Sequence, residues 1–434
     1  MDIRDIFVMN AREGALFINP WNAEMLAVKK KDIQEAVRVL SQNIKNESCE
    51  AFLEPITEEM MIKPKIDSAK GIGIIPTLKC NFACKYCYER NFEKSEMTPE
   101  MIPYIRKFVE YWNREMNCNS TIEDVGLLGG EVLRSDTHEL MNAIMEEFAE
   151  AKCHITTNGV SLLEYKELLQ KYRPSMTISL DGTEKMQAEK RETKIEDAYK
   201  RIVDGIHFLT EEDLEIVIAT VYNPDFPVEE YAKFFDMLEE LGWHENEKMQ
   251  VNFSLEMECG INGCEKEKHL KVLQEFRKLL REERRACSVR RGILPGMSGM
   301  KRILKEKCEK GTVDLVRCSA NASDGLIFAP DGYVYNCNLI KTEKNRIGQF
   351  YPSMNIYREV VEEHINRSIL SIPECKECKM ALFCRGGCPA SAITKGGNLG
   401  KGFCGVWKEE EILKEADMFI NVDELFSMAR QFEE

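Results

Sequence analysis

Between residues 71 and 258, short apolar runs alternate with stretches in which apolar residues recur at helical spacing. The apolar runs have the length of strands and lie at 71–78, 125–128, 154–157, 176–180, 214–221 and 250–255. Strands that alternate with helices are typical of parallel βα units. A complete eight-unit barrel takes about 250 residues, so the 188 residues of this span provide for about six units. The pattern predicts an α/β fold that contains a partial (β/α)6 TIM-type barrel.

The flanking regions follow different patterns. Residues 1–70 contain two short apolar runs and then a helical pattern, which predicts a small N-terminal β-hairpin and helix. Beyond residue 311 the alternation gives way to short strands, glycine and proline turns and cysteines, until a helical pattern returns at the C-terminus. We expect an N-terminal extension, the partial barrel, a basic helical connector, a loop-rich cysteine domain and a C-terminal helix, at 1–70, 71–258, 259–310, 311–407 and 408–434.

Composition and charge narrow the range of partners. The chain has 59 Lys and Arg against 74 Asp and Glu, a net charge of −15, which argues against binding to nucleic acid. It has no uncharged apolar run of about 18 residues, and its N-terminus lacks a secretory signal pattern, so we expect a cytoplasmic protein that does not enter a membrane. The segment 265–310 has a local charge of +8. It is either a solvated helix face or a docking face for an acidic partner.

Seventeen cysteines in a chain without an export signal indicate metal sites rather than disulfides. Cys80, Cys84 and Cys87 are spaced C-x3-C-x2-C directly after the first predicted strand, where loops of a βα barrel hold catalytic groups. Three thiolates on one tight loop can bind three irons of a [4Fe–4S] cluster and leave the fourth iron open to a substrate ligand. A structural zinc site requires four protein ligands, and no fourth Cys or His lies near this loop in the sequence.

With Tyr86 before the last cysteine, this spacing resembles the signature of the radical S-adenosylmethionine (radical SAM) enzymes. The resemblance implies that the open iron chelates the methionine part of SAM. It also implies roles for residues that follow later strands: Gly129, Gly130 and Glu131 bind the methionine amino group, Ser179 and Asp181 contact the ribose, and Arg191 pairs with the methionine carboxylate. The chain departs from the family at Gln187-Ala188, where His-Asp usually precedes this arginine.

The C-terminal third contains a second cysteine pattern. Its members are Cys318, Gly332 and Cys337, spaced C-x13-G-x4-C, then Cys375, Cys378, Cys384 and Cys388, spaced C-x2-C-x5-C-x3-C, and finally Cys404. A zinc ribbon is one interpretation. The whole pattern resembles the seven-cysteine SPASM extension of radical SAM peptide-modifying enzymes, which implies a loop-rich iron–sulfur domain.

The SPASM resemblance implies two auxiliary [4Fe–4S] clusters, so the chain would bind three such clusters and SAM. By this resemblance, Cys318, Cys337 and Cys388 belong to auxiliary cluster I, and Cys375, Cys378, Cys384 and Cys404 belong to auxiliary cluster II. Two four-iron clusters need eight cysteine ligands, so the seven of this pattern leave auxiliary cluster I with three ligands instead of four. Either Cys308, a short distance upstream, supplies the eighth ligand, or one iron is open and binds a substrate thiolate.

The resemblance implies a maturase that uses a 5′-deoxyadenosyl radical to modify a ribosomal precursor peptide, and we expect a thioether crosslink from a cysteine sulfur. One alternative is formylglycine formation, as in anaerobic sulfatase maturases. Those enzymes have an Asp, thought to act as a base, where this chain has Asn338, and an amide cannot accept the proton. The other alternative is a non-catalytic cysteine-rich metal scaffold. Residues 1–70 are a candidate leader-recognition segment, and 265–310 a candidate surface for a flavodoxin or ferredoxin electron donor.

Overall fold

The structure is a computed structural model, and it describes residues 6–41, 61–62, 68–223, 225–255, 303–305, 307, 309–310, 312–315, 320, 325–339, 342–403 and 422–431 of the 434-residue chain. The chain divides into two compact units. The first unit comprises Met1–Pro64, Leu294–Asn321 and Asn366–Glu434, and the second comprises Lys65–Ile293 and Ala322–Ile365. Parts of the proposed domain at 311–407 lie in each of the two units, and the predicted segment boundaries stay a prediction.

A ten-stranded sheet lies in the second unit. Its order is β12-β11-β9-β8-β7-β5-β14-β15-β16-β17, and its strands are β5 (Gly71–Ile74), β7 (Asp124–Leu127), β8 (Lys152–Thr157), β9 (Ser175–Ser179), β11 (Ile216–Tyr222), β12 (Met249–Leu255), β14 (Leu326–Phe328), β15 (Tyr333–Tyr335), β16 (Arg346–Gln349) and β17 (Asn355–Ile356). The first six of these correspond to the six predicted strands. Each pairs in parallel with the next one along the chain.

Helices connect these parallel strands, as the alternating pattern predicted. They are α2 (Ile102–Met116), α3 (His138–Glu147), α4 (Lys166–Tyr172), α5 (Glu184–Lys190), α6 (Ala198–Glu211) and α7 (Val228–Glu240). In β11, buried residues alternate with half-buried ones, and α2 buries residues at helical spacing, including Ile105, Phe108 and Trp112. These periodicities are those of a sheet covered by amphipathic helices. The predicted partial (β/α)6 barrel is therefore confirmed.

The sheet continues past β5 with strands from the second cysteine region. β14 pairs in parallel with β5, with Leu326 opposite Ile72, and β15, β16 and β17 follow as antiparallel neighbours. An unpaired edge strand exposes a row of unsatisfied backbone groups, and β14 satisfies those of β5. The sequence predicted short strands here but not their addition to the barrel sheet. The helix α8 (Arg358–Ile365) follows β17.

The first unit contains a three-stranded antiparallel sheet in the order β1-β2-β3, formed by Phe7–Asn10, Gly14–Ile18 and Met25–Lys29. The helix α1 (Ile33–Ser41) follows it. The predicted hairpin and helix are present, and β3 is an additional strand that the sequence did not predict. Ala15 and Phe17 of β2 are buried in the core of this sheet together with Leu40 of α1.

The remaining elements of the first unit are short. They are β4 (Met61–Ile62), β13 (Val313–Asp314), α9 (Ala381–Cys384), α10 (Pro389–Gly396) and α11 (Val422–Gln431). The predicted C-terminal helix is present over α11, where the Asp423 carboxylate accepts a hydrogen bond from the Arg12 backbone N–H and pairs with its guanidinium. Among the described residues, no helix is long and apolar enough to span a membrane.

Candidate active site

The loop with Cys80, Cys84 and Cys87 follows β5 at the carboxyl edge of the parallel sheet. Its middle forms a short strand, β6 (Phe82–Cys84), which pairs antiparallel with β10 (Arg191–Thr193). In this register Arg191 lies opposite Cys84, and the Arg191 Nη1 lies 3.8 Å from the Cys84 sulfur. Two segments far apart in sequence therefore form one ladder. The predicted carboxylate-binding arginine lies directly against the cysteine loop.

The donor set of this loop fits an iron–sulfur cluster. Desolvation of the sulfur raises the pKa of Cys80 to about 12 and also raises the pKa of Cys84, so both are neutral thiols in the protein alone. Coordination to a metal deprotonates a thiol outright, so binding of a cluster would release these protons. In the described part of the chain, no three Cys, His or acidic side chains lie close enough together to chelate one metal ion. A four-iron cluster makes no such demand, because each of the three thiolates would bind a different iron.

Gly129 and Gly130 bring the end of β7 against the start of the cysteine loop. The Gly130 N–H donates to the Thr77 carbonyl at 2.9 Å, and the Glu131 N–H donates to the Lys79 carbonyl at 2.9 Å. A Cβ atom at Gly130 would lie 2.2 Å from the Lys79 carbonyl oxygen, and one at Gly129 would lie 2.6 Å from the Thr77 carbonyl oxygen. Only glycine permits this approach. The two glycines therefore fix the backbone that leads into Cys80.

The Glu131 side chain has partners within the protein. It is buried, and its carboxylate accepts hydrogen bonds from the Asn158 N–H at 2.6 Å, the Leu133 N–H at 2.9 Å and the Thr157 hydroxyl. Burial raises its pKa, and these three hydrogen bonds oppose that rise. The carboxylate thus connects the ends of β7 and β8. Its contact with the methionine amino group stays a prediction.

Asp181, at the end of β9, forms a buried ion pair with Arg191. The Arg191 Nε and Nη2 donate to the two carboxylate oxygens at 2.9 and 3.1 Å, the Val221 N–H donates to Oδ1 at 3.0 Å, and the Tyr86 hydroxyl donates to Oδ2. Burial alone would lower the pKa of Arg191, but the charge of Asp181, its hydrogen bonds and smaller contributions from neighbouring groups together hold that pKa above its usual value. Asp181 therefore orients Arg191, and its ribose contact stays a prediction.

Gln187, where the chain departs from the family pattern, stabilises the turn between β9 and α5. The buried Gln187 accepts a hydrogen bond from the Asp181 N–H at 2.8 Å and donates one to the Ser179 carbonyl at 3.4 Å. The Gln187 side-chain amide therefore fixes the backbone at Asp181, the residue that pairs with Arg191. Ser179, the other predicted ribose contact, is half-buried at this turn.

Polar residues that sequence reasoning missed also hold the loop. The Asn158 side chain donates to the Asn81 Oδ1 at 2.7 Å, and the Thr193 hydroxyl donates to the Asn81 carbonyl at 3.0 Å. The buried Arg134 donates to the Lys79 carbonyl at 3.3 Å and pairs with Glu96 at 3.1 Å. No spacing rule singles out these residues. Only the folded structure brings these residues, near the ends of β7, β8 and β10, into contact with the cysteine loop.

Asn338 lies in the same unit as this loop. Its amide Nδ2 donates to the hydroxyl of Tyr88 at 3.1 Å, and Tyr88 directly follows Cys87. Asn338 follows Cys337 after β15. Gly332 lies in the turn before β15, where it has a positive φ of 82° and a Cβ atom would lie 2.4 Å from the Tyr351 carbonyl oxygen. The G-x4-C pattern thus begins at a turn that requires glycine. It ends beside the cysteine loop, and this places residue 338 at the candidate active site.

The other cysteine positions belong to the first unit. Cys375 and Cys384 are buried, and Cys378 and Cys388 are half-buried. Cys375 ends a 3-10 turn (Pro373–Cys375), Cys384 ends α9, and Cys388 precedes α10. Cys308, Cys318 and Cys404 lie outside the described residues, as does most of the proposed docking segment 265–310.

A cysteine loop at the carboxyl edge of a partial (β/α)6 barrel is typical of one class of α/β enzymes that bind an iron–sulfur cluster. Comparisons with known proteins agree with this assignment. A profile of the radical SAM superfamily matches residues 74–238. A serine-type anaerobic sulfatase-maturating enzyme of Bacteroides thetaiotaomicron is 22% identical over 370 residues, which cover 77% of this chain and 84% of the relative.

Two solved structures have a similar fold. The structure of anSMEcpe with bound AdoMet and Cp18Cys peptide has a TM-score of 0.59 at 18% identity and covers 84% of this chain and 99% of its own. SuiB of Streptococcus suis, bound to the precursor peptide SuiA, has a TM-score of 0.54 at 15% identity and covers 92% and 97%.

Residues 74–238 therefore form a radical SAM domain, which indicates a radical SAM enzyme whose cofactors include SAM and a [4Fe–4S] cluster. This confirms the resemblance inferred from the cysteine loop. It also excludes the alternative of a non-catalytic metal scaffold.

Proposed function

We propose that this radical SAM enzyme matures a ribosomally made peptide by forming a thioether from a cysteine sulfur. The observation that carries the proposal is the contact between the Asn338 amide and the Tyr88 hydroxyl, at 3.1 Å, one residue beyond Cys87. An amide at this position orients a neighbouring group by hydrogen bonds but cannot act as a base. The similarity to SuiB, which was solved with a precursor peptide, supports a peptide substrate.

In this proposal Cys80, Cys84 and Cys87 hold the cluster that binds SAM. With SAM bound, that cluster supplies the 5′-deoxyadenosyl radical that removes a hydrogen atom from a substrate carbon, and the protein provides binding and orientation. Asp181 binds the Nε and Nη2 edge of the Arg191 guanidinium, and Nη1 is directed at the Cys84 sulfur. A carboxylate bound beside this loop would therefore meet a fixed cation. This arrangement supports the assignment of Arg191 to the methionine carboxylate.

The contacts around Cys375 support the ligand set of auxiliary cluster II, which is Cys375, Cys378, Cys384 and Cys404. A Cβ atom at Gly402 would lie 3.5 Å from the Cys375 sulfur, and the Phe403 N–H donates to the Gly386 carbonyl at 3.0 Å. The stretch that leads into Cys404 is thus packed against Cys375 and against the turn after Cys384. In the proposal, Cys318, Cys337 and Cys388 hold auxiliary cluster I.

Thioether formation removes the thiol proton of the substrate cysteine, and Asn338 cannot accept this proton. A cysteine that binds as a metal ligand loses the proton on binding, so the reaction then needs no base at residue 338. Overall, the substrate loses one hydrogen atom from carbon and one proton and one electron from the S–H group. The hydrogen atom would reduce the deoxyadenosyl radical to 5′-deoxyadenosine, and an auxiliary cluster would accept the electron.

Formylglycine formation is the second candidate function. The similarity to a serine-type sulfatase-maturating enzyme over 77% of this chain favours it. Residue 338 separates the two candidates, because formylglycine formation in those enzymes is thought to use an acidic side chain at this position.

The proposal is tested with short cysteine-containing peptides encoded beside the gene, incubated with SAM and dithionite. We expect a product that has lost two hydrogen atoms, no longer reacts with iodoacetamide at its cysteine, and does not react with a hydrazide probe. A hydrazide-reactive aldehyde would instead establish formylglycine formation. The same assay with Asn338→Ala should retain crosslinking within about tenfold, because only a neutral hydrogen bond is lost. A loss of about 10²-fold or more would show that residue 338 takes part in proton transfer.

The variant Cys308→Ala tests whether auxiliary cluster I has an open iron. If the iron is open, Cys308→Ala should leave the iron content, the cluster spectra and thioether formation unchanged, because no ligand is lost. If Cys308 is the fourth ligand, the variant should lose about four irons while the other two clusters survive. The iron content and product mass of the variant and the wild type decide between these outcomes. Loss of auxiliary cluster I would contradict direct binding of the substrate thiolate.

A further inference from the structure

Arg367 is buried in the cysteine-rich part of the first unit and donates hydrogen bonds to four backbone carbonyls. It is 4% exposed. The partners are the carbonyls of Gly386, at 2.7 Å, Leu399, at 2.9 Å, Gly387, at 3.2 Å, and Lys401, at 3.2 Å. All three nitrogens of the guanidinium are used. A planar group with five N–H donors in fixed directions is suited to joining several carbonyls in this way.

The four carbonyls belong to two separate stretches of chain. Gly386 and Gly387 form the turn between Cys384 and Cys388, with positive φ values of 76° and 75°. Leu399 and Lys401 lie in the stretch that leads into Cys404. The two stretches touch backbone to backbone, because a Cβ atom at Gly387 would lie 1.7 Å from the Phe403 carbonyl oxygen. Arg367 therefore links the turn between two of the cysteines to the segment that precedes a third in the sequence.

The charge of Arg367 has a consequence for a cluster at this place. Arginine stays protonated at all accessible pH values, so its positive charge is permanent. A four-iron cluster bound by four thiolates has a net negative charge that becomes more negative on reduction. A buried cation near it stabilises both the bound cluster and, more strongly, its reduced form, because low-dielectric surroundings screen the interaction weakly.

We propose that Arg367 is a positioning residue for auxiliary cluster II: its four hydrogen bonds hold the turn between Cys384 and Cys388 against the segment 399–401, and its charge raises the reduction potential of the cluster. This inference rests on the proposed ligand set of that cluster. Substitutions of Arg367 can separate the effect of its hydrogen bonds from the effect of its charge. Lysine keeps the charge without the planar fork, whereas glutamine keeps a hydrogen-bonding group without the charge.

The test measures iron and sulfide content and the midpoint potentials of Arg367→Lys and Arg367→Gln in a Cys84→Ala background, so that the remaining signals belong to auxiliary clusters. We expect Arg367→Gln to weaken cluster retention against a chelator by about 10- to 100-fold and to lower one auxiliary potential. Arg367→Lys should weaken retention but restore the potential. Lys376→Gln is the matched control, because it removes an exposed positive charge next to Cys375 and should change neither property.

Wild-type retention and potentials in both Arg367 variants would overturn the inference. If Arg367→Gln does not fold, the lysine variant decides alone: reduced retention at an unchanged potential supports the inference, and unchanged retention overturns it. Failure of thioether formation is detected separately, in the product mass of the wild-type enzyme, and failure of the proposed ligand set looks different again. In that case the Cys84→Ala parent, with Arg367 intact, already lacks iron and sulfide.

Discussion

Cys84→Ala should abolish reductive cleavage of SAM while the iron of the auxiliary clusters remains. The variant leaves two thiols on a loop that has three, and a four-iron cluster with an open iron needs three protein ligands. It also removes the sulfur that faces Arg191 across the β6–β10 ladder. The measurements are 5′-deoxyadenosine formation with dithionite and the iron content, which should fall from about twelve to about eight atoms per chain.

Cys118→Ala is the matched control for this experiment. Cys118 lies in the same unit, and its sulfur contacts Asn113 and Ser120 rather than the cysteine loop. We expect this variant to retain its full iron content and its cleavage of SAM. Formation of 5′-deoxyadenosine by an iron-replete Cys84→Ala protein would falsify the assignment of the loop.

The parallel strands could be predicted because their signal is local. Each strand is an apolar run buried between a helix layer and the barrel interior, so its pattern does not depend on what it pairs with. In β8 and β11 buried positions alternate with half-buried ones, as in the predicted runs at 154–157 and 214–221. The order of the strands then follows from the preference of βαβ units for adjacent, right-handed connections.

Pairings between strands that lie far apart in the sequence leave no local pattern of apolar residues from which they could be predicted. β14 comes about 250 residues after β5 in the sequence, yet it pairs with β5 and extends the barrel sheet. The three-residue strands β6 and β10 are too short to show a period, and they pair with each other, with Phe82 opposite Thr193. Such short strands are stabilised by tertiary contacts rather than by propensity, and hydrophobic periodicity does not predict them.

The motif residues were found from the sequence, but their hydrogen-bond partners were not. Glu131 and Asp181 were predicted to meet SAM, and in the structure each accepts hydrogen bonds from within the protein. Buried carboxylates need such partners, because an unpaired buried charge is costly. Asn158 and Arg134 supply part of this network and belong to no motif. Motif spacing identifies which residues meet, and only the three-dimensional contacts show how they hold one another.

Arg191→Ala should have two large effects. If Arg191 pairs with the methionine carboxylate, loss of a charge-assisted hydrogen bond worth about 1.5–3 kcal/mol should weaken SAM binding by about 10- to 150-fold. The variant also leaves Asp181, 2% exposed, without its cation. Breaking a buried pair on one side lowers the free energy of unfolding by about 3–5 kcal/mol. Calorimetric titration with SAM measures the first effect, and denaturant unfolding measures the second.

Asp181→Asn separates these two effects. Asparagine retains the size of Asp181 and removes its charge, so the double variant Asp181→Asn with Arg191→Ala has no unpaired buried carboxylate. We therefore expect the double variant to be less destabilised than the sum of the two single variants, because the residues are in direct contact. If Arg191 binds SAM directly, its removal weakens SAM binding in the Asp181→Asn background as well. If the affinity loss disappears in that background, Arg191 acts only by holding Asp181, and the methionine carboxylate must bind elsewhere.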